Sequence, residues 1–200
     1  MKWSNLNTAY QIQKKILKNK LIGSYKVGAS NHSSARFFGI NEIILGGIVS
    51  DNIHFSKVDK NYASAELELV IRVRCGGGQT NGYEILSQHF GVECPLSEVD
   101  NPDGYAFLCV ADNCSAGDLI ILQDYYGNYS ESIGVYVNDI RVISGSFDSL
   151  RFSIDSILSK SLSIIKTNDL PHGEEVYIAT GGLTNNFSLN AGDQVEVRFE

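Results

Sequence analysis

The chain has 200 residues, 43% hydrophobic and 20% charged, with a formal net charge of −7. That balance suits a folded domain with a real core and excludes extensive disorder. The only basic cluster, Lys14, Lys15, Lys18 and Lys20, falls on a predicted helix, where a solvated face accounts for it better than a nucleic-acid patch. No apolar run reaches the roughly 18 residues needed to span a bilayer. The opening Met1-Lys2-Trp3-Ser4-Asn5 lacks the apolar region of a signal peptide. Cys75, Cys94, Cys109 and Cys114 are irregularly spaced without a C-x-x-C pair, which reads as reduced cysteines rather than a zinc site or a disulfide framework. A cytoplasmic protein without nucleic-acid or membrane partners is expected.

In chain order, Thr8 and Gln11 form a capping box for a first helix, with Ala9, Ile12, Ile16 and Leu17 inward and Gly23 as its stop. Ser24 to Ala29 reads as a short strand and Asn31 to Phe38 as a short helix. Short apolar stretches punctuated by glycine and Asp-Asn turns follow from Ile43. Ala65 to Val73 is the clearest strand, with Ala65, Leu67, Leu69, Ile71 and Val73 on one face and Glu66, Glu68, Val70 and Arg72 on the other. Cys75 to Gln79 reads as a flexible turn without phosphate-loop spacing. Gly82 to Phe90 is expected to be helical, Gly91 to Pro95 a strand, Ser97 to Gly104 an acidic turn, and Ala106 to Asp112 a strand. Leu119 to Asp124, Ser132 to Asn138 and Arg141 to Ser144 read as strands, the last two a hairpin around Asn138-Asp139. Phe152 to Lys160 is a second helix. Glu175 to Thr180 and Gln194 to Phe199 are late strands. No repeat or linker interrupts the chain, so residues 1–200 read as one domain.

Glu66 and Glu68 point the same way from their strand, with Cα atoms roughly 7 Å apart and arms that can converge on one cation. Taken alone, they are also the polar half of an ordinary amphipathic strand. His32, His54, His89 and His172 show no ligand spacing, and no Ser-His-Asp motif is evident.

Three fragments extend this reading: Ser24-Tyr25-Lys26-Val27-Gly28, Ala65-Glu66-Leu67-Glu68-Leu69-Val70, and Val110-Ala111-Asp112-Asn113-Cys114-Ser115-Ala116-Gly117. In this order they resemble the 2-keto-4-pentenoate hydratase and 4-oxalocrotonate decarboxylase branch of the fumarylacetoacetate hydrolase superfamily. Asp112 to Gly117 is the most specific match, to the pattern A-D-N-A-S-[SA]-G. The resemblance runs from Thr8 to Phe199. Typical members carry an added N-terminal helical segment, so this chain has a short N-terminus by comparison. Tyr25 stands where the family has tryptophan. Leu96-Ser97-Glu98 replaces D-S-R after Glu93, and Ser146-Phe147-Asp148-Ser149 replaces a G-H-P-like stretch.

The resemblance implies an α+β fold: a twisted β-roll or barrel-like core with flanking helices. It implies Glu66, Glu68 and Glu93 as ligands of Mg²⁺ or Mn²⁺, since three carboxylates suit a hard cation. Lys26 would complement substrate or enolate charge, and Asp51, in Gly47-Ile48-Val49-Ser50-Asp51-Asn52, would transfer protons. Asn113, Ser115 and Thr180 would contact the substrate. The implied activity is a metal-dependent lyase on a small 2-oxo or 2-hydroxy-dienoic acid, hydration first, decarboxylation second and acylpyruvate-type C–C hydrolysis third. The rival reading is a non-catalytic relative retained as an oligomeric binding or scaffold protein. In either case a homo-oligomer is expected.

Overall fold

Residues 3–76, 82–96 and 105–200 are described by a computed structural model of the chain. The expected acidic turn from Ser97 to Gly104 lies outside them, as does most of the turn after Cys75. The strand with the clearest alternation is the longest: β4 (Tyr62–Cys75), in which Ala65, Leu67, Leu69, Ile71 and Val73 are all fully buried. Around it are arranged β1 (Ile22–Gly28), β2 (Ile44–Val49), β3 (Ile53–Phe55), β5 (Tyr83–Cys94), β6 (Asp118–Asp124), β9 (Glu175–Gly182) and β10 (Phe187–Leu189). The main sheet runs β2-β1-β9-β4-β5-β6-β3, with β10 added along β4. The pairings β1–β9 and β3–β6 are parallel, and the others antiparallel. A second sheet, β11-β7-β8, joins β7 (Ser132–Val137) and β8 (Ile140–Ser146) to β11 (Val195–Phe199). Its expected hairpin turns at Asn138 and Asp139, both with positive φ, as a two-residue primed turn requires.

The main sheet curls into a half-barrel. Ile48 of β2 and Leu119 and Ile121 of β6 lie near opposite ends of the strand order, yet share one apolar cluster with Val70 and Ala179. That cluster fills the concave face. The opposite face carries the larger core, covered by α1 (Trp3–Leu17), α3 (Ala106–Ala111) and α4 (Ile154–Asn168). The fold is thus the mixed barrel-like core with flanking helices that the family resemblance implies. A short helix, α2 (His32–Phe38), is capped by the Asn31 side chain accepting from Ser34 N–H and by Gly39 in the left-handed conformation.

Three local expectations are corrected. Gly82 to Phe90 is not helical but the first part of β5. Ala106 to Asp112 is not a strand but α3, which buries Ala106, Cys109 and Val110 at i, i+3 and i+4. The first helix begins at Trp3, so Thr8 lies inside it, and it ends at Leu17, leaving Gly23 within β1. Its buried face is also different. Ile12 and Ile16 are 38% and 43% exposed, while Tyr10 and Gln13 point inward. The polar tips of that inward pair clamp one residue of β2: Leu45 N–H donates to the Tyr10 hydroxyl at 3.1 Å, and Gln13 Nε2 donates to Leu45 O at 2.6 Å. These two hydrogen bonds offset the burial of polar side chains where periodicity alone would place isoleucine, although Gln13 Oε1 has no partner among the described residues.

Candidate active site

Strand alternation sets Glu66 and Glu68 on the concave face, in line with Val70. The β4–β5 register places Glu93 directly across from Glu66, and the β4–β9 register places Gly182 across from Glu68. Lys26 lies on β1 opposite Ala179 of β9. Four neighbouring strands, β1, β9, β4 and β5, therefore bring one lysine and three carboxylates to the same end of the half-barrel. They open into a cleft of about 490 Å³, whose further walls include Ser30, Ser34 and Phe37 around α2, Cys109, and Ser115. This is the size range of small-molecule sites.

Lys26 Nζ donates to Glu93 Oε2 at 2.8 Å. Glu93 Oε1 is buried without a hydrogen-bond partner among the described residues. Glu68 Oε2 accepts from Gly181 N–H at 2.8 Å. Gly181 can aim its N–H there because its φ is +106°, and a Cβ at that position would lie 1.7 Å from Ser30 Oγ. Gly182 makes room for the second carboxylate: a Cβ would lie 2.4 Å from Glu66 Oε2.

The electrostatics follow from burying three acids beside one base. Burial lifts the pKa of Glu68 well above the ordinary carboxyl value, Glu93 adds to the rise, and Lys26 opposes it. Burial likewise raises Glu93 and Glu66 against the pull of Lys26. For Lys26 itself, burial disfavours the charge, but Glu93, Glu68 and Glu66 outweigh it and hold the ammonium above the usual lysine range.

These residues fit a hard divalent cation in donor chemistry: three carboxylates on adjacent strands, one with an orphaned buried oxygen. Among the described residues, however, no three acidic, histidine or cysteine side chains already have their donor atoms gathered around one cation position. The Lys26 ammonium draws Glu93 to itself instead.

The other expected site residues divide. Ser115 lines the cleft. Asn113 does not; its carboxamide donates to Gly47 O and accepts from Gly47 N–H, both at 2.7 Å, pinning β2 to the turn before β6. Asn113, Cys114 and Ser115 all have φ near +55°, a left-handed run that turns one side chain to β2 and the next but one to the cleft. Thr180 is fully buried and does not line the cleft, because alternation after the concave Ala179 turns it the other way. Asp51 is exposed on a single 3-10 turn, Ser50–Asn52, beyond the end of β2. Lys26 pairs with Gly46 on that strand, five residues from Asp51, so the structure does not bring the two together. Sequence reading missed Gly181 and Gly182 as the groups that place Glu68 and Glu66. Their signal in the sequence is the Gly181-Gly182 pair that follows Thr180.

No family model matches the sequence, and no curated protein matches it. Solved structures do. A structure of 4-oxalocrotonate decarboxylase from Pseudomonas putida G7, complexed with magnesium and adipate, aligns with a TM-score of 0.74 at 19% identity, over 96% of this chain and 81% of that one. The same enzyme complexed with calcium and acetate aligns at 0.72 and 18% identity, over 96% and 80%. Fumarylpyruvate hydrolase from Pseudomonas aeruginosa, in complex with Mn²⁺ and pyruvate, aligns at 0.57 and 13% identity, over 90% and 85%. At these identities the likeness establishes architecture, and it agrees with the half-barrel and helices described above: the chain has the fumarylacetoacetate hydrolase fold, including the form seen in 4-oxalocrotonate decarboxylase.

Proposed function

We propose that the chain is a metal-dependent lyase of the fumarylacetoacetate hydrolase superfamily, acting on a small 2-oxo or 2-hydroxy-dienoic acid. The observation that carries this reading is the cluster of Glu66, Glu68 and Glu93, two of them fully buried and the third half-buried, three carboxyl groups drawn to one lysine, with an unpaired oxygen on Glu93. Glu66, Glu68 and Glu93 would hold Mg²⁺ or Mn²⁺, in keeping with the magnesium and Mn²⁺ in the matched structures. The ion supplies Lewis-acid polarisation of the substrate's carboxylate and 2-oxo oxygen.

The chain's own residues do the rest. Gly181 N–H fixes one oxygen of Glu68, so that carboxylate is oriented before anything binds. With Glu93 among the residues that would hold the cation, the Lys26 ammonium would be left to complement the negative charge of an oxo-acid. In a cleft walled by Phe37 and the buried β-strands, that charge complement is worth more than in water. Ser115, one of several polar side chains lining the cleft, would orient the substrate. Asp51, exposed outside the cleft, has no part in this scheme.

Hydration is the first choice of reaction, decarboxylation the second and C–C hydrolysis the third, because all three use the same polarised oxo-acid. The deciding experiment supplies Mg²⁺ or Mn²⁺ with 2-hydroxypenta-2,4-dienoate and a panel of oxo-acids. Turnover that disappears with chelator supports the lyase. Tight binding of metal and oxo-acid without any product favours the rival, a binding or scaffold protein.

A further inference from the structure

Outside the carboxylate cleft, Ser87, His89 and Asp124 form a continuous hydrogen-bonded chain. Ser87 Oγ is 2.8 Å from His89 Nε2, and His89 Nδ1 is 2.8 Å from Asp124 Oδ1. An ionised carboxylate can only accept, so Asp124 assigns the proton to Nδ1 and leaves Nε2 as the acceptor facing the serine hydroxyl. That is the order of contacts by which a serine is activated as a nucleophile.

The sheet builds this arrangement. Ser87 and His89 are two residues apart on β5 and share a face. The β5–β6 register sets Asp124 directly across from His89. Register shifts flank the group, one beside Ser87 and one between His89 and Gly91, and such bulges re-aim side chains. Asp124 is held from its other oxygen by the Tyr126 hydroxyl at 2.9 Å. His89 is only 15% exposed and packs against the Tyr177 ring. Arg72 stands directly across from Ser87 on β4, with its guanidinium paired to Glu175 and lying against the same Tyr177 ring. All of this lies on the concave face but at the end away from the carboxylates. Ser87 is six residues along β5 from Glu93, roughly 20 Å at strand spacing.

We infer that Ser87 is the nucleophile of a second reaction centre, separate from the metal cleft, which takes the acyl group of small activated esters, with His89 as its base and Asp124 as the positioning residue. Ser87 Oγ attacks the ester carbonyl carbon while its proton passes to His89 Nε2. The C–O bond to the leaving group then breaks, and the departing alcohol takes the proton from Nε2. Water attacks the acyl-serine, gives a proton to Nε2, and the acid leaves as Ser87 recovers its proton. Ester and water become acid and alcohol, with no other reactant needed.

The test uses the full chain with a fluorophosphonate probe and with p-nitrophenyl acetate, and peptide mapping locates the adduct. One adduct is expected, on Ser87, absent in Ser87→Ala and at least a hundredfold slower to form in His89→Gln. Asp124→Asn should slow it about tenfold and Asp124→Glu should restore most of the rate, a rescue that a purely structural aspartate would not give. Chelator should leave the rate unchanged. Thermal unfolding midpoints within a few degrees of the parent establish that each variant is folded. The inference is overturned by no adduct, by an adduct on another residue, or by equal labelling of Ser87 in His89→Gln.

Discussion

Lys26 Nζ and Glu93 Oε2 form an ion pair 2.8 Å long, with only 13% and 1% of the two side chains exposed. Among the described residues it is the cationic contact made to the carboxylate cluster of Glu66, Glu68 and Glu93, and it sets the balance of the site. Removing one partner of a buried pair leaves the other charge uncompensated, at a cost of about 3–5 kcal/mol. Lys26→Met should therefore destabilise the metal-free protein by about 3 kcal/mol in chemical denaturation. Mg²⁺ or Mn²⁺ should recover most of that loss, since a ligand bound only by the folded state adds its binding free energy to stability. Turnover of the oxo-acid should fall at least tenfold even with metal saturating. A variant as stable as the parent, or one indifferent to metal, would reject the shared-charge account.

Glu68 gives a prediction with a sign in pH. Its folded pKa is raised by burial and by Glu93, so between the ordinary carboxyl value and that raised value the folded state binds more protons than the unfolded state. Stability from this group consequently falls as pH rises through that window. Glu68→Gln keeps an acceptor for Gly181 N–H and removes the charge. The variant should be more stable than the parent at pH 8 without metal, with the advantage shrinking toward pH 4. Its affinity for Mg²⁺ or Mn²⁺ should drop at least tenfold by calorimetry. Parallel stability curves for parent and variant across that range would contradict the burial argument.

Gly182→Ala tests the packing behind the same ligand set. The added Cβ would sit 2.4 Å from Glu66 Oε2, which is the movable end of a side chain rather than backbone. The fold should survive with a loss of about 1–2 kcal/mol. Metal affinity should fall several-fold because Glu66 must swing away. Gly181→Ala should be worse for folding, with a positive φ and a Cβ 1.7 Å from Ser30 Oγ. Equal metal affinity in Gly182→Ala and the parent would remove Glu66 from the ligand set.

Much of the core and part of the site could be read from sequence, for a physical reason visible in β4. One face is wholly apolar and buried, and the other carries the charges and is buried only around Glu68 and Val70, so period-two alternation survives and places Glu66 and Glu68 together. In β5 the alternation fails at Leu86, where the register skips between Ser87 and Ile85, and the resulting Ile85-Leu86 pair mimics a helical run. In α3 the run Ala106 to Ala111 is apolar and short enough to pass for a strand, although Ala106, Cys109 and Val110 already had helical spacing. Asn113 matched a motif, but motif membership cannot distinguish a side chain that meets substrate from one that meets Gly47. The Ser87-His89-Asp124 chain depends on a cross-strand pairing, and no spacing along the sequence reports it.

We propose the second sheet as the place where the expected homo-oligomer can be tested. Ile140 and Val142 alternate on β8 with their side chains largely exposed, and Phe199 of β11 is exposed at the other edge of the same three strands. Sedimentation at micromolar concentration should give a mass at least twice the 21.9 kDa of one chain. Ile140→Lys should shift that mass toward the monomer. A parent that sediments only as a monomer would sink this expectation and leave the exposed residues as ordinary surface.

Asp51 and Asn113 make opposite predictions from similar motif evidence. Asp51 is exposed, has no side chain–cleft contact, and lies on a turn that other polar residues can form. Asp51→Asn should therefore change turnover less than twofold and stability by less than about 0.5 kcal/mol, the range of ordinary surface substitutions. Asn113 satisfies both backbone groups of Gly47 and does so from a left-handed residue. Asn113→Ala would leave those groups unpaired and give the strained position to a residue that tolerates it less well. A loss of about 2–3 kcal/mol is expected. Because Ser115 rides on the same left-handed turn, oxo-acid KM should rise in Asn113→Ala while Mg²⁺ affinity stays near that of the parent. Reversed results, with Asp51→Asn crippling turnover in a folded protein and Asn113→Ala neutral, would restore Asp51 as the proton-transfer residue and require the cleft to close over it.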